Sequence, residues 1–146
     1  MTKSEKAVDY FRKNYNCSQS VLTALGPDYG LSEDFCMKVA CAFGGGMGRQ
    51  QYTCGAVTGA LMALGLKYGK GLNDPEEKKR YTYSLTKKFI SEFIRINGSS
   101  NCRELLEGLD MNNEDDLKVI KEKNLFETKC EKFVADAVDI LEKILK

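Results

Sequence analysis

Residues 41–69 read CAFGGGMGRQQYTCGAVTGALMALGLKYG. The reading of this stretch decides the fold. Gly44, Gly45, Gly46 and Gly48 make a segment too flexible for a helix, so any helix before them must stop there. From about Thr53 to Tyr68 the residues turn apolar and helical, and Gly69 closes the run. Gly55, Gly59 and Ala63 recur four apart, with Ala56 and Ala60 beside them. Each glycine costs about 1 kcal/mol against alanine inside a helix. A packing need must offset that cost. A face this small predicts that another helix backbone approaches closely, as small residues permit at tight crossings.

Helical periodicity continues on both sides of the stretch. Ser4 is read as the cap of a first helix with Ala7, Val8, Phe11 and Tyr15 on one side. A second starts near Asn16, turns Cys17, Val21, Ala24 and Leu25 inward, and stops at Gly26-Pro27. Ser32 opens a third, with Phe35, Cys36, Val39, Ala40 and Phe43 inward. The glycine-rich helix is the fourth. The segment NDPEE, with Asp74 as cap and Pro75 in the first turn, opens a fifth striped by Tyr81, Leu85, Phe89, Phe93 and Ile96 and closed by Gly98. A short sixth follows Ser100, and Asn113 caps a seventh. The last runs from about Glu127, with Cys130, Phe133, Val134, Ala137, Leu141 and Ile144 on one face. No alternating strand pattern competes. The expectation is one all-α domain over residues 1–146, a helical bundle of seven or eight helices joined by short antiparallel connections.

The chain has 146 residues, 22 Lys and Arg against 21 Asp and Glu, and neither histidine nor tryptophan. A balance this even, with signs interspersed, argues against nucleic acid or an anionic membrane as the main partner. The longest uncharged run, Gln50 to Leu66, is glycine-rich and a little short to span a bilayer. The polar N-terminus lacks a signal-peptide pattern. We expect a cytoplasmic protein with no membrane insertion. Its six cysteines would then meet a reducing compartment, where metal ligation or redox chemistry is commoner than a structural disulfide. Without histidine, Ser-His-Asp and Cys-His machinery is excluded within the chain. Sulfur is the obvious group to carry chemistry.

No CxxC pair occurs, which argues against a thioredoxin motif or a zinc ribbon. Cys36 and Cys41 stand five apart, about 140° around a helix, and do not share a face. Cys17, Cys54, Cys102 and Cys130 show another regularity, each falling at or near an expected helix start. Helix N-termini favour a thiolate. Four such positions can converge as one cluster or as two dithiol pairs, although cysteine also serves as a small buried hydrophobe. The glycine loop matches neither phosphate-binding pattern. It is either a plain turn or a device that brings backbone N–H groups to a small group such as sulfur or an anion. Gly45, Gly46, Arg49 and Gly55 are the candidate contacts.

The segments NCSQSVL, FGGGMGR and CGAVTGAL, followed by two later lone cysteines, resemble the bacterial and archaeal C_GCAxxG_C_C family, which is defined by four cysteines and a CGAxxG motif. Cys54-Gly55-Ala56-Val57-Thr58-Gly59 matches the motif, and by order Cys17, Cys102 and Cys130 match the other three cysteines. The resemblance spans roughly Tyr15 to Cys130. It implies redox or metal chemistry at these four residues and leaves Cys36 and Cys41 without a role.

Three functions stay open. The four cysteines hold an iron–sulfur cluster or cycle as dithiols, exchanging electrons with a redox partner protein. The same thiolates hold zinc or another soft metal in a non-redox module. Or the chain is a helical interaction domain, in which case the small-residue face can serve a homodimer. At Cys54 the helix start and Arg49 favour the thiolate, whereas burial opposes it. The expectation is that the first two win and make Cys54 the most reactive thiol.

Overall fold

The computed structural model describes all residues, 1–146. It is one all-α domain of eight helices: α1 (Lys3–Arg12), α2 (Cys17–Leu25), α3 (Glu33–Ala40), α4 (Gly55–Tyr68), α5 (Glu76–Asn97), α6 (Cys102–Leu105), α7 (Glu114–Glu122) and α8 (Glu131–Ile144). Short 3₁₀ turns follow α2 and α3, and a single π turn over Phe126–Cys130 leads into α8. No strand forms. No helix is long and apolar enough to cross a membrane.

Helix α2 is the axis of the bundle. Asn16 caps it reciprocally with Gln19, each side chain holding the other residue's N–H, a pairing that satisfies two orphan donors at once. Ser18 and every residue from Ser20 to Gly26 are buried. α2 packs on α4, α1, α3 and α8, while α5 covers α4 and α8.

The small face of α4 meets α2, as its spacing predicts. A Cβ on Gly55 would lie 3.0 Å from the Ser18 nitrogen and 3.2 Å from the Cys17 Cβ. This face is therefore covered inside the chain and is not free to form a dimer.

Several expected details differ. Thr2, not Ser4, caps α1 by accepting the Glu5 N–H. Pro75 is the N-cap of α5, and the Asp74 carboxylate turns back to accept the Gly71 N–H at 2.7 Å. Asn101, rather than Ser100, caps α6. In α3 only Cys36 and Ala40 are buried, whereas Phe35 and Val39 are 56% and 50% exposed. α3 is short and touches the body along one narrow edge, so the rest of its apolar residues face solvent. Tyr81 and Ile96 in α5 are exposed for a similar reason: only Leu85, Phe89 and Phe93 lie under α4 and α8.

Candidate functional site: a cavity ringed by cysteines

One cavity of about 440 Å³ opens among the start of α2, the glycine loop, the starts of α4 and α6, and the π turn before α8. Cys17, Cys54, Cys102 and Cys130 all line it. Cys41 lines it too, from the 3₁₀ turn after α3, and is exposed there. Cys36 does not join them. It is buried with its thiol 3.5 Å from the Leu31 carbonyl oxygen, against Gly26. All six are free thiols.

Each thiol is placed by a distinct local device. Cys17 is the first residue of α2, and its neighbour Asn16 also donates from Nδ2 to the Cys41 carbonyl at 3.0 Å. That bond ties the start of α2 to the turn carrying Cys41. Cys54 is the N-cap of α4. Cys102 opens α6. These two are brought together by a short antiparallel pairing invisible to periodicity. Thr53 bridges Asn101, the Cys54 N–H donates to the Ser100 carbonyl at 2.8 Å, and the Cys102 N–H donates to the Tyr52 carbonyl at 2.6 Å.

Cys130 departs from the expected pattern. It does not stand at a free helix start, because the π turn runs into α8 through it with helical dihedrals (φ −65°, ψ −38°). The backbone N–H groups beyond it are therefore committed within one continuous helix. The wide turn instead sets Phe126, Cys130 and Phe133 toward the cavity; turns of this kind recur at functional sites. A bidentate pair between Arg12 and Glu131, at 2.9 and 3.1 Å, holds this junction to the end of α1.

The glycine loop is not a flexible turn. Gly45, Gly46, Met47, Gly48 and Arg49 run consecutively through left-handed backbone, with φ between 56° and 72°, and Gln51 follows at 60°. Left-handed conformation costs a residue with a Cβ roughly 1–2 kcal/mol, so Met47, Arg49 and Gln51 need support. Gln51 supplies much of it. Its buried amide accepts the Met111 N–H and donates to the Leu109 carbonyl, both at 2.8 Å. Asn112 donates to the Arg49 carbonyl at 2.7 Å. Sequence reasoning missed Gln51 and Met111. A glutamine close after a glycine run was the one available signal.

Three of the cavity thiols are held neutral. Burial pushes Cys54 up to about 12, against the opposing pull of the Ala56 and Val57 N–H groups. Burial, with the neighbouring Cys54 and Cys130, also pushes Cys102 up to about 12. The Cys17 thiol lies well above its ordinary value, first through a hydrogen bond with Cys130 and then through burial. The expectation of a thiolate at Cys54 is thus overturned: desolvation outweighs the helix start, and Arg49 turns its Nε to the Met111 sulfur at 3.2 Å. Arg49 is nevertheless the only charged side chain lining the cavity.

The cavity lining has no carboxylate and no imidazole; its sulfur groups are the cysteines and Met111, beside the neutral side chains of Asn14, Tyr15 and Asn16. No group of three or more Cys, Asp or Glu side chains is gathered closely enough to hold a single metal ion.

An all-α domain with four cysteine thiols ringing one cavity, three of them at helix starts, defines a cysteine-centred class of helical protein. Residues 15–144 match the model of the C_GCAxxG_C_C family, described as "Putative redox-active protein", and the chain belongs to that family. A protein of Archaeoglobus fulgidus described as uncharacterized is 28% identical, in an alignment covering 100% of this chain and 97% of that protein. No solved structure matches the chain.

Proposed function

We propose that this family member is a redox protein whose working centre is the cavity lined by Cys17, Cys54, Cys102 and Cys130, and that the four thiols hold an iron–sulfur cluster. One observation carries the reading: four cysteines from four separate segments line one cavity that holds no carboxylate and no imidazole. Four cysteines are the usual ligand set of such clusters.

The raised thiols argue against free thiol exchange in the metal-free protein. A thiol near 12 is almost wholly protonated at neutral pH and is a poor nucleophile. A metal cation reverses this, since a coordinating thiol is deprotonated outright. A single ion would require sulfurs about 2.3 Å from one point, and no three donors are gathered in that way. A cluster spreads its ligands around a larger body, which suits thiols ringed around about 440 Å³. Such a group would supply one-electron transfer. Around it, the start of α4 at Gly55 would offset part of the charge of four thiolates.

A second reading rests on the influence of Cys130 on the Cys17 thiol, which marks the two as neighbours at the cavity. Two neighbouring thiols can form a disulfide without metal, passing two electrons and two protons to a redox partner.

Anaerobic purification decides between them. A brown protein with iron and acid-labile sulfide, losing both when any of the four cysteines becomes serine but keeping both in Cys36→Ser, supports the cluster. Colourless, metal-free protein with a reversible Cys17–Cys130 disulfide supports the second reading. Colourless protein containing zinc would replace both with a non-redox module. Metal-free protein without reversible thiol chemistry would leave an interaction domain.

A further inference from the structure

Beside the thiols the cavity has donors that the cysteines do not use. Gly44, Gly45 and Gly46 line it consecutively. None of their three N–H groups donates to a backbone carbonyl or to a side-chain oxygen or nitrogen. Gly44 and Gly46 are nevertheless buried. A buried donor without a partner costs about 1–3 kcal/mol, and such groups are rare unless water or a ligand completes them. Gly44 is extended and Gly45 and Gly46 are left-handed, and successive N–H groups in such a turn can form a concave array suited to an anion.

Arg49 adds charge to the same wall. It takes part in none of the chain's ion pairs. Its Nε faces the Met111 sulfur, so its two terminal nitrogens have no protein acceptor. Its left-handed backbone is held by Asn112 and, two residues on, by Gln51. The chain thus maintains a strained segment that sets a guanidinium and three unpartnered N–H groups on one cavity that contains no acid.

We propose that this corner binds a small oxyanion, which would be the substrate class of the redox centre. The substrate role rests on the redox reading above; the binding does not. Oxyanion oxygens match both partners, since guanidinium presents a planar fork of donors and the loop presents a concave one.

The test is calorimetric titration of sulfate into the full chain, purified anaerobically, with ionic strength held constant by chloride. We expect one saturable site. Arg49→Gln weakens it at least tenfold and Arg49→Lys by less, because charge is kept and the fork is lost. Arg103→Gln leaves it unchanged, as Arg103 lies outside the cavity with its Nε on the Gly108 carbonyl. No saturable heat, or equal affinity in Arg49→Gln, overturns the proposal. Iron, sulfide and thiol content are measured on the same samples. Metal-loaded protein that ignores sulfate removes the oxyanion site and leaves the redox reading standing. Sulfate-binding protein with neither metal nor reversible thiols does the reverse.

Discussion

A Cβ added to Gly59 would lie 2.7 Å from the carbonyl oxygen of Ser18. The obstacle is backbone and cannot swing away. This contact sets the separation of α2 and α4, and one turn earlier it places Gly55 against Cys17. The closeness of Cys17 and Cys54 thus follows from the small face. Gly59→Ala should destabilise the protein by about 1–3 kcal/mol, the usual cost of overpacking, although alanine gains about 1 kcal/mol in helix propensity. Gly65, on the same helix, has nothing within 4 Å of its added Cβ, so Gly65→Ala should stabilise by up to about 1 kcal/mol. Denaturant midpoints of the two variants should move in opposite directions. A stabilised Gly59→Ala would show that the crossing is looser than described.

Gln51 governs the left-handed loop. Replacing it with leucine leaves the Leu109 carbonyl and the Met111 N–H without their partner. The expected loss is about 2–4 kcal/mol, since each buried group left unpaired costs about 1–3. Asn112→Ala removes a more exposed bond to the same loop and should cost less than half as much. Equal effects in urea unfolding would mean that the buried amide is not the anchor.

Most of the helices were legible because their signals are local. Asn16, Ser32 and Asn113 cap as their positions predict, and Gly98 closes α5 in left-handed conformation. The small face of α4 was legible because only close packing compensates for its glycines. Burial was less legible: Phe35 and Val39 have the right period, but no neighbour covers that side of α3. The convergence of four cysteines could be anticipated from helix starts, yet two of the means lie outside periodicity. The bridge from Thr53 to Asn101 joins residues distant in sequence, and the π turn at Cys130 adds a residue without any marker. Left-handed Arg49 and Gln51 were illegible because they are held by Leu109–Asn112, far along the chain.

Thiol reactivity should follow exposure. Cys41 is exposed at the cavity while Cys54 is buried. In reduced, chelated protein at pH 7, iodoacetamide should label Cys41 first and Cys54 at least tenfold more slowly, because only the thiolate reacts. Peptide mapping against time reads the order. Labelling of Cys54 as fast as that of Cys41 would restore the helix start and Arg49 as the dominant influences on its sulfur.

Stability of the metal-free protein should fall at alkaline pH. Cys54 and Cys102 stand near 12 in the fold, against about 8.5 for a free thiol. Below about 8.5 both states keep their thiol protons, so neither group makes stability depend on pH. Between about 8.5 and 12 the unfolded chain releases these protons while the folded chain retains them, and unfolding gains the difference. Each such thiol then costs about 1.4 kcal/mol per pH unit. Cys17, also raised, adds to the slope. Urea unfolding under reducing, chelating conditions should therefore give constant stability from pH 7 to 8, apart from other groups, and a decline by pH 10 of about 2 kcal/mol for each raised thiol. Cys54→Ala should shift the whole curve through lost packing but flatten its alkaline limb by one thiol's share. An alkaline slope as steep in Cys54→Ala as in the parent would show that this sulfur is not held neutral. Bound metal should abolish the decline, because coordinated sulfurs have already given up their protons.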